Sequence, residues 1–139
     1  MKISVVIPAY NEEKLIAKCI KAVQNQSFPK EKYEILVIDN NSKDKTAEIA
    51  RKLGARVISY NKKQGFAAAR HFGMLKARGE IIASTDADSI PQKNWLETIE
   101  KLFKNEKLVY LGGTILSTEN TMSSKLPFVV YDPFAGVNQ

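Results

Sequence analysis

Two carboxylates separated by one small residue, Asp86-Ala87-Asp88, follow a short apolar run, Ile81 to Ala83. The run reads as a buried strand that ends at Thr85. Successive strand residues face opposite ways, but where the backbone turns, both carboxylates can aim at one spot. Two close carboxylates repel, and burial sharpens the repulsion. A divalent cation relieves it, and hard oxygen donors suit Mg²⁺ or Mn²⁺. A polar turn with two solvated aspartates fits the same three residues. The surrounding elements must decide between the two.

Those elements alternate. Ile3 to Ile7 is an apolar, β-branched run and reads as a buried strand, stopped by Pro8. Asn11-Glu12-Glu13 places acid where a helix N-terminus favours it, and Leu15, Ile16, Cys19, Ile20 and Val23 recur at helical spacing. Tyr33 to Ile38 reads as a second buried strand ending in Asp39, followed by the turn residues Asn40-Asn41-Ser42. Lys43 to Leu53 reads as a helix with Gly54 as its C-cap, Arg56 to Tyr60 as a short strand, and Phe66 to Ala77 as a helix closed by Gly79. Trp95, Leu96, Ile99, Leu102 and Phe103 mark a helix after the aspartate pair. Leu108 to Leu116 reads as a strand interrupted by Gly112-Gly113, and a short helix is expected near Thr121 to Lys125.

Strands alternating with helices predict an α/β fold, a mostly parallel sheet flanked by helices on both faces. In such a sheet, ligands sit beyond the carboxyl ends of the strands. Pro8 to Glu12, Asp39 to Ser42 and Asp86 to Asp88 all fall there. A nucleoside diphosphate bound through a metal would use each part of this edge. Asp39 could accept hydrogen bonds from a base, Tyr10 could pack on base or sugar, and a metal at Asp88 would neutralise the diphosphate as a leaving group. Tyr10 also fits a core-capping role, and Arg70 an ion pair with Asp39 or Asp86. Trp95 belongs to an apolar stripe and reads as core.

Composition narrows the alternatives. The chain has 139 residues, 44% hydrophobic and 26% charged, which suits one globular core. A single cysteine, Cys19, allows no internal disulfide and suits a reducing compartment; a cytoplasmic location is expected, with the inner face of the membrane as a second setting. A single histidine, His71, excludes a histidine-rich metal site. The net charge of +6 fits an anionic ligand or peripheral membrane association, although lysines spread along helices also serve solubility. Nucleic acid is not expected as a partner. No apolar run approaches the roughly 18–20 residues of a membrane span, and Met1 to Pro8 is too short and strand-like for a signal peptide. The phosphate loops of dinucleotide and P-loop enzymes are missing, as is a Ser–His–Asp pattern.

Four segments together resemble a family. Val5-Val6-Ile7-Pro8-Ala9-Tyr10-Asn11-Glu12-Glu13 looks like the opening motif of family 2 glycosyltransferases. Asp39 to Thr46 is similar to their Asp-Asp/Asn-x-Ser-x-Asp-x-Thr turn. Gly65 to His71 resembles their Gly-x-x-x-Ala-Arg-Asn segment, and Asp86-Ala87-Asp88 their Asp-x-Asp signature. The resemblance covers residues 3–116 firmly and the tail loosely. It implies the GT-A (Rossmann-like) nucleotide-diphospho-sugar transferase fold, with residues 1–116 as the nucleotide-sugar-binding domain and 117–139 as the start of an incomplete acceptor side.

By this resemblance Pro8, Ala9, Tyr10, Glu12, Asp39, Gly65, Arg70, Asp86 and Ala87 are nucleotide-binding. Asp88 ligates Mg²⁺ or Mn²⁺ directly, and Asp86 contacts ribose or holds the metal through water. Gly65 lets the chain pass close to the nucleotide, and Arg70 orients the loops. His71 stands where Asn is usual and Asn40 where Asp is frequent. The implied reaction is inverting transfer of a sugar from a nucleotide-diphosphate donor to an acceptor hydroxyl on a saccharide, lipid-linked or protein acceptor. The family's catalytic Asp or Glu base and its later Arg- and Trp-containing motif are not found after Gly113, although Phe134 to Asn138 resembles the start of the Gly-x-Asn segment that precedes the base. A fragment, a truncated chain and a naturally short protein all fit. A nucleotide-binding module without turnover is therefore the rival reading. A nucleotidyltransferase is a third, disfavoured because no Gly-rich basic loop follows the first strand.

Overall fold

A computed structural model describes residues 1–104, 110–112 and 129–131. Six strands form one sheet: β1 (Ile3–Ala9), β2 (Tyr33–Asp39), β3 (Arg56–Ser59), β4 (Ile81–Ser84), β5 (Tyr110–Gly112) and β6 (Val129–Tyr131), in the order β3-β2-β1-β4-β6-β5. The first four are parallel, and β6 pairs antiparallel with both β4 and β5. The expected α/β sheet is present, and the GT-A likeness is taken up with the site below. Four helices cover it: α1 (Ile16–Gln24), α2 (Thr46–Lys52), α3 (Gly65–Lys76) and α4 (Trp95–Phe103). The expected strand over 108–116 is described only at Tyr110–Gly112, and the helix expected near 121–125 lies outside the described residues. Among the described residues no helix is long and apolar enough to cross a membrane.

Burial explains the two layers. Every residue of β1 is buried, as a central strand covered on both faces requires. Ile3, Val5, Ile7 and Ala9 pack with Ile16, Cys19, Ile20 and Val23 of α1, Ala50 of α2, and Leu96 and Ile99 of α4. Val6, Leu36, Ile38 and Ile82 face the other way, onto Ala69 of α3. Each fully buried isoleucine or leucine contributes about 1.5–3 kcal/mol of hydrophobic stabilisation. Trp95 is half-buried against the first cluster, in keeping with its core assignment.

Four local expectations are corrected. Pro8 does not stop β1, which continues to Ala9 in register with Asp39. Lys2 and Val6 accept from β4-side amides, Ile81 and Thr85, whereas Ala9 accepts from Asn40 beyond β2. Alternation therefore aims the N–H that Pro8 lacks past the last β4 pair, Val6 with Ser84, where no ladder bond is lost. Helix α1 begins at Ile16, not beside Asn11 to Glu13, because Asn11 takes a left-handed φ of 50° and the acidic residues bond to another loop. Helix α2 likewise begins at Thr46 rather than Lys43. Gly79 is not a helix cap: α3 ends at Lys76, with Ala77 extended after it.

What Gly79 does is admit a backbone crossing. A Cβ there would lie 2.5 Å from the Ser4 nitrogen and 2.6 Å from the Ile3 carbonyl carbon. Its N–H donates to the buried Ser4 hydroxyl at 2.8 Å. Gly73 seats α3 against side chains instead, since a Cβ would lie 2.5 Å from Val6 Cγ1, whereas at Gly79 the neighbours are backbone. Backbone cannot yield as a side-chain tip can. Gly79→Ala is therefore expected to lower stability by about 1–3 kcal/mol through overpacking. The check is a denaturant titration, in which the midpoint should fall while the slope stays constant.

Candidate functional site

The strand order reverses beside β1. The chain runs outward through β2 and β3, then crosses back to place β4 on the other side of β1. The crevice at such a switch point, beyond the carboxyl strand ends, is where open α/β sheets bind ligands. Ala9 to Glu12 leaves β1 there, and Thr85 to Asp88 leaves β4. The Ser89 N–H donates to the Asp86 carbonyl at 3.1 Å and closes a turn, so Asp86 and Asp88 project from one turn. The Ala87 side chain between them is buried in the core and leaves only its backbone for a ligand.

The acidic residues share one electrostatic environment. Arg70 from α3 bonds to Asp86 Oδ1 at 2.5 Å, which selects Asp86 over Asp39 as its ion-pair partner. Asp88 is exposed and makes no hydrogen bond or ion pair among the described residues. Burial raises the pKa of Glu12 above the ordinary carboxyl value, and the charges of Asp88, Asp44 and Asp86 raise it further. Burial, then Asp88 and Asp86, push the Cys19 thiol up to about 12, and its sulfur lies 3.4 Å from the Asp86 carbonyl oxygen. Cys19 is thus an inert core thiol, as its spacing on a helix face predicts.

These groups fit a divalent cation. The donors are hard carboxylate oxygens on one turn, next to a third carboxyl that already feels their charge. They do not amount to a cage. Among the described residues no three His, Cys, Asp or Glu side chains converge closely enough to hold a metal by themselves.

The other predicted residues sort by exposure. Asp39 is nearly buried, and its Oδ1 accepts the Ser42 N–H at 3.3 Å. Tyr10 is 45% exposed, which favours the open edge over a core cap. Pro8 and Ala9 are buried in β1. Gly65 has a φ of +79° and open space around the position of a Cβ, so the start of α3 explains the glycine. His71 is exposed.

Two supports were not read as such from the sequence, although Ser42, Asp44 and Thr46 of the second belong to the turn motif of residues 39–46. Gln26 is buried, donates to the Gln92 carbonyl at 2.7 Å and accepts the Leu96 N–H at 3.0 Å, which ties the segment after the aspartate turn to α1. The second is a set of reciprocal bonds between the β1–α1 and β2–α2 loops. The N–H groups of Asn11, Glu12 and Glu13 donate to Ser42 Oγ, Thr46 Oγ1 and Asp44 Oδ2 at 3.0, 2.8 and 3.1 Å. The N–H groups of Lys43 and Lys45 donate back to Asn11 Oδ1 and Glu13 Oε2, at 2.8 and 3.1 Å.

The family model for glycosyl transferase family 2 matches residues 4–128. The chain belongs to this family. It is 39% identical over 118 residues to the glycosyltransferase AglE of Haloferax volcanii, covering 81% of this chain and 39% of that protein. Among solved structures, Staphylococcus aureus TarS 1-349 in complex with UDP-GlcNAc superposes with a TM-score of 0.75 at 25% identity, over 95% of this chain and 45% of that one. The glucosyl-3-phosphoglycerate synthase of Mycobacterium tuberculosis, with Mn²⁺, UDP and glucosyl-3-phosphoglycerate, does so with a TM-score of 0.66 at 27% identity, over 78% and 42%. The fold is that of the GT-A transferases. The chain spans less than half the length of the first curated relatives it matches.

The electrostatics are open to direct test. Glu12 is expected to titrate above an ordinary glutamate, and Asp88→Asn should lower its pKa part-way, because burial persists while one repelling charge goes. Carboxyl-carbon NMR across a pH titration reads both values. A Glu12 pKa unchanged by the substitution would show that Asp88 lies too far away to matter.

Proposed function

We propose that this chain is the donor-binding part of an inverting glycosyltransferase, moving a sugar from a nucleoside-diphosphate donor to an acceptor hydroxyl. The carrying observation is the aspartate turn at the switch point, beside Glu12 and the end of β1. The family membership and the nucleotide-bound structural relatives support the reading. Asp39 would accept hydrogen bonds from the base at the β2 end, and Tyr10 would pack against base or sugar. Asp88 would hold Mg²⁺ or Mn²⁺, and Asp86, fixed by Arg70, would contact the ribose or the ion's water. When bound, the ion supplies positive charge that stabilises the departing diphosphate. Direct displacement by an acceptor oxygen needs no enzyme nucleophile, which agrees with an inert Cys19.

A nucleotide-binding module without turnover is the second reading. It is favoured because the assignments proposed above would give Glu12, Asp39, Asp86 and Asp88 donor-side roles, which would leave none of them to deprotonate an acceptor. Incubation with labelled nucleotide sugars and Mn²⁺ separates the readings. Transfer or hydrolysis of the sugar supports the enzyme, and binding without product supports the module. Pyrophosphate release from a nucleoside triphosphate would instead indicate a nucleotidyltransferase.

Two binding experiments examine the assignments. Asp39→Ala should weaken nucleotide binding by about 1–3 kcal/mol, the scale of a hydrogen bond to a charged group. Calorimetry on the folded variant reads this, and unchanged affinity would reject the role. Metal and nucleotide should also bind with positive, reciprocal coupling, because the protein alone offers too few ligands. Titrating UDP and GDP with and without Mn²⁺ measures the coupling. Asp88→Asn, which keeps the shape and loses the charge, should abolish most of it.

A further inference from the structure

We infer that Thr46 and Asp44 are positioning residues for the nucleoside end of the site, acting through the backbone of Asn11 to Glu13. The inference rests on the donor-binding reading for its consequence, but not for its geometry. Three consecutive amides that leave β1 find no partner in their own loop, and all three donate to side chains of the loop after β2. Unpaired amides would favour other loop conformations, so these acceptors select one.

Thr46 is the centre of the arrangement. It is fully buried although it opens α2. Its hydroxyl accepts the Glu12 N–H at 2.8 Å and donates to Asp44 Oδ1 at 2.5 Å. Asp44 Oδ1 also accepts the Thr46 N–H at 2.9 Å, and its Oδ2 takes the Glu13 N–H at 3.1 Å. One carboxylate and one hydroxyl thereby tie Glu12 and Glu13 to the first turn of α2. Desolvation alone would raise the Asp44 pKa, but the hydrogen bonds from Thr46 and Glu13 outweigh it and hold the carboxyl below its ordinary value. The charged form therefore makes the contacts.

The left-handed residues define what is being held. Asn11 has a φ of 50° and Asn41 a φ of 63°, conformations that need local hydrogen bonds to persist in a residue with a Cβ. Asn11 obtains them by exchanging bonds with Ser42 and Lys43. The turn between Tyr10 and Glu12 is thus set by the loop that begins at Asp39. The two residues proposed to meet base and sugar, Tyr10 and Asp39, are placed relative to one another by Ser42, Asp44 and Thr46. None of these three needs to touch the ligand.

Thr46→Val keeps the shape and removes the hydroxyl, and Thr46→Ser keeps the hydroxyl. Ser42→Ala and Asp44→Asn probe the exposed side and remain available if Thr46→Val fails to fold. Thermal denaturation, amide spectra with hydrogen exchange at Asn11 to Glu13, and calorimetric titration of UDP and GDP with Mn²⁺ are measured on each. Loss of amide protection at Glu12 in Thr46→Val, with nucleotide affinity lower by about five- to tenfold, the equivalent of one net hydrogen bond, and with both restored in Thr46→Ser, supports the inference. In Ser42→Ala and Asp44→Asn, loss of protection at Asn11 and at Glu13 respectively, with weaker binding, supports it equally. A folded Thr46→Val with wild-type affinity, or an unfolded one beside Ser42→Ala and Asp44→Asn that bind like wild type, overturns it and leaves Thr46 a stability residue only. A wild type that binds neither nucleotide overturns the donor-binding reading. In that case the amide data still decide whether the hydroxyl holds the loop, and full protection in Thr46→Val overturns that too.

Discussion

The pairing of β1 between β2 and β4 is the constraint on which the remaining structure depends. Parallel strands cannot be joined by tight turns, so each crossing must carry a helix over one face. Helices α1 and α2 therefore lie on one face and α3 on the other, and the three loops that follow β1, β2 and β4 emerge at one edge. Register then fixes their heights. Ala9 stands level with Asp39, while β4 stops at Ser84, level with Val6. The shorter strand opens a step on the β4 side, and the aspartate turn occupies it. Pro8, with no N–H to offer, borders that step. Gly79 lets the chain enter β4 against the backbone of Ile3 and Ser4, so the height of the aspartate turn is set at the far end of the strand as well as at its own.

The two sides of the crevice are built on different physics. On the β2 side, backbone amides meet hydroxyl, carboxamide and carboxylate acceptors, and the bonds close on one another. On the β4 side, carboxylates outnumber cations. Arg70 is paired with Asp86 and Asp88 is solvated, while Glu12 is forced above its ordinary pKa by burial and by its neighbours' charges. The first arrangement holds geometry through directed hydrogen bonds, with Asp44 adding to the charge that Glu12 feels. The second stores repulsion that a positive charge would release. The donor-binding reading would call for this division, since a rigid base needs shape and a charged diphosphate needs charge compensation.

Much of this was legible in the residues. The apolar runs of β1, β2 and β4 and the helical spacing of Ile16, Cys19, Ile20 and Val23 predict their elements, because each records which face is buried. The aspartate pair was legible as a candidate site because topology, and not the pair itself, brings strand ends together. What could not be read follows from contacts between segments distant in the chain. Pro8 looks like a terminator until the direction of its missing N–H is known. Gly79 looks like a cap until the backbone it touches is known. Asn11 to Glu13 looks like a helix start because acid before an apolar stripe satisfies the local rule. The tertiary partners Ser42, Asp44 and Thr46 overrule it. Gln26 and Thr46 are polar residues of a kind that is usually exposed; nothing near Gln26 announces burial, and the turn motif that ends at Thr46 marks the residue without marking its burial.

The small number of carboxylates at the proposed metal site bears on how such a domain would discriminate between ligands. Two carboxylates on a turn, one already held by an arginine, cannot dehydrate Mg²⁺ strongly. On the proposed reading a cation would therefore be retained only when a ligand brings further oxygens, and a diphosphate would bring them where the aspartate turn points away from the sheet. On the proposed donor-binding reading, selection for the diphosphate would arise from charge balance at Asp86 and Asp88, and selection for the nucleoside from the fixed spacing of Tyr10 and Asp39. The two selections would act on opposite ends of one ligand through separate elements. A ligand with only one end, such as a free nucleoside or a free diphosphate, would gain from one side of β1 and leave the other side's interactions with water.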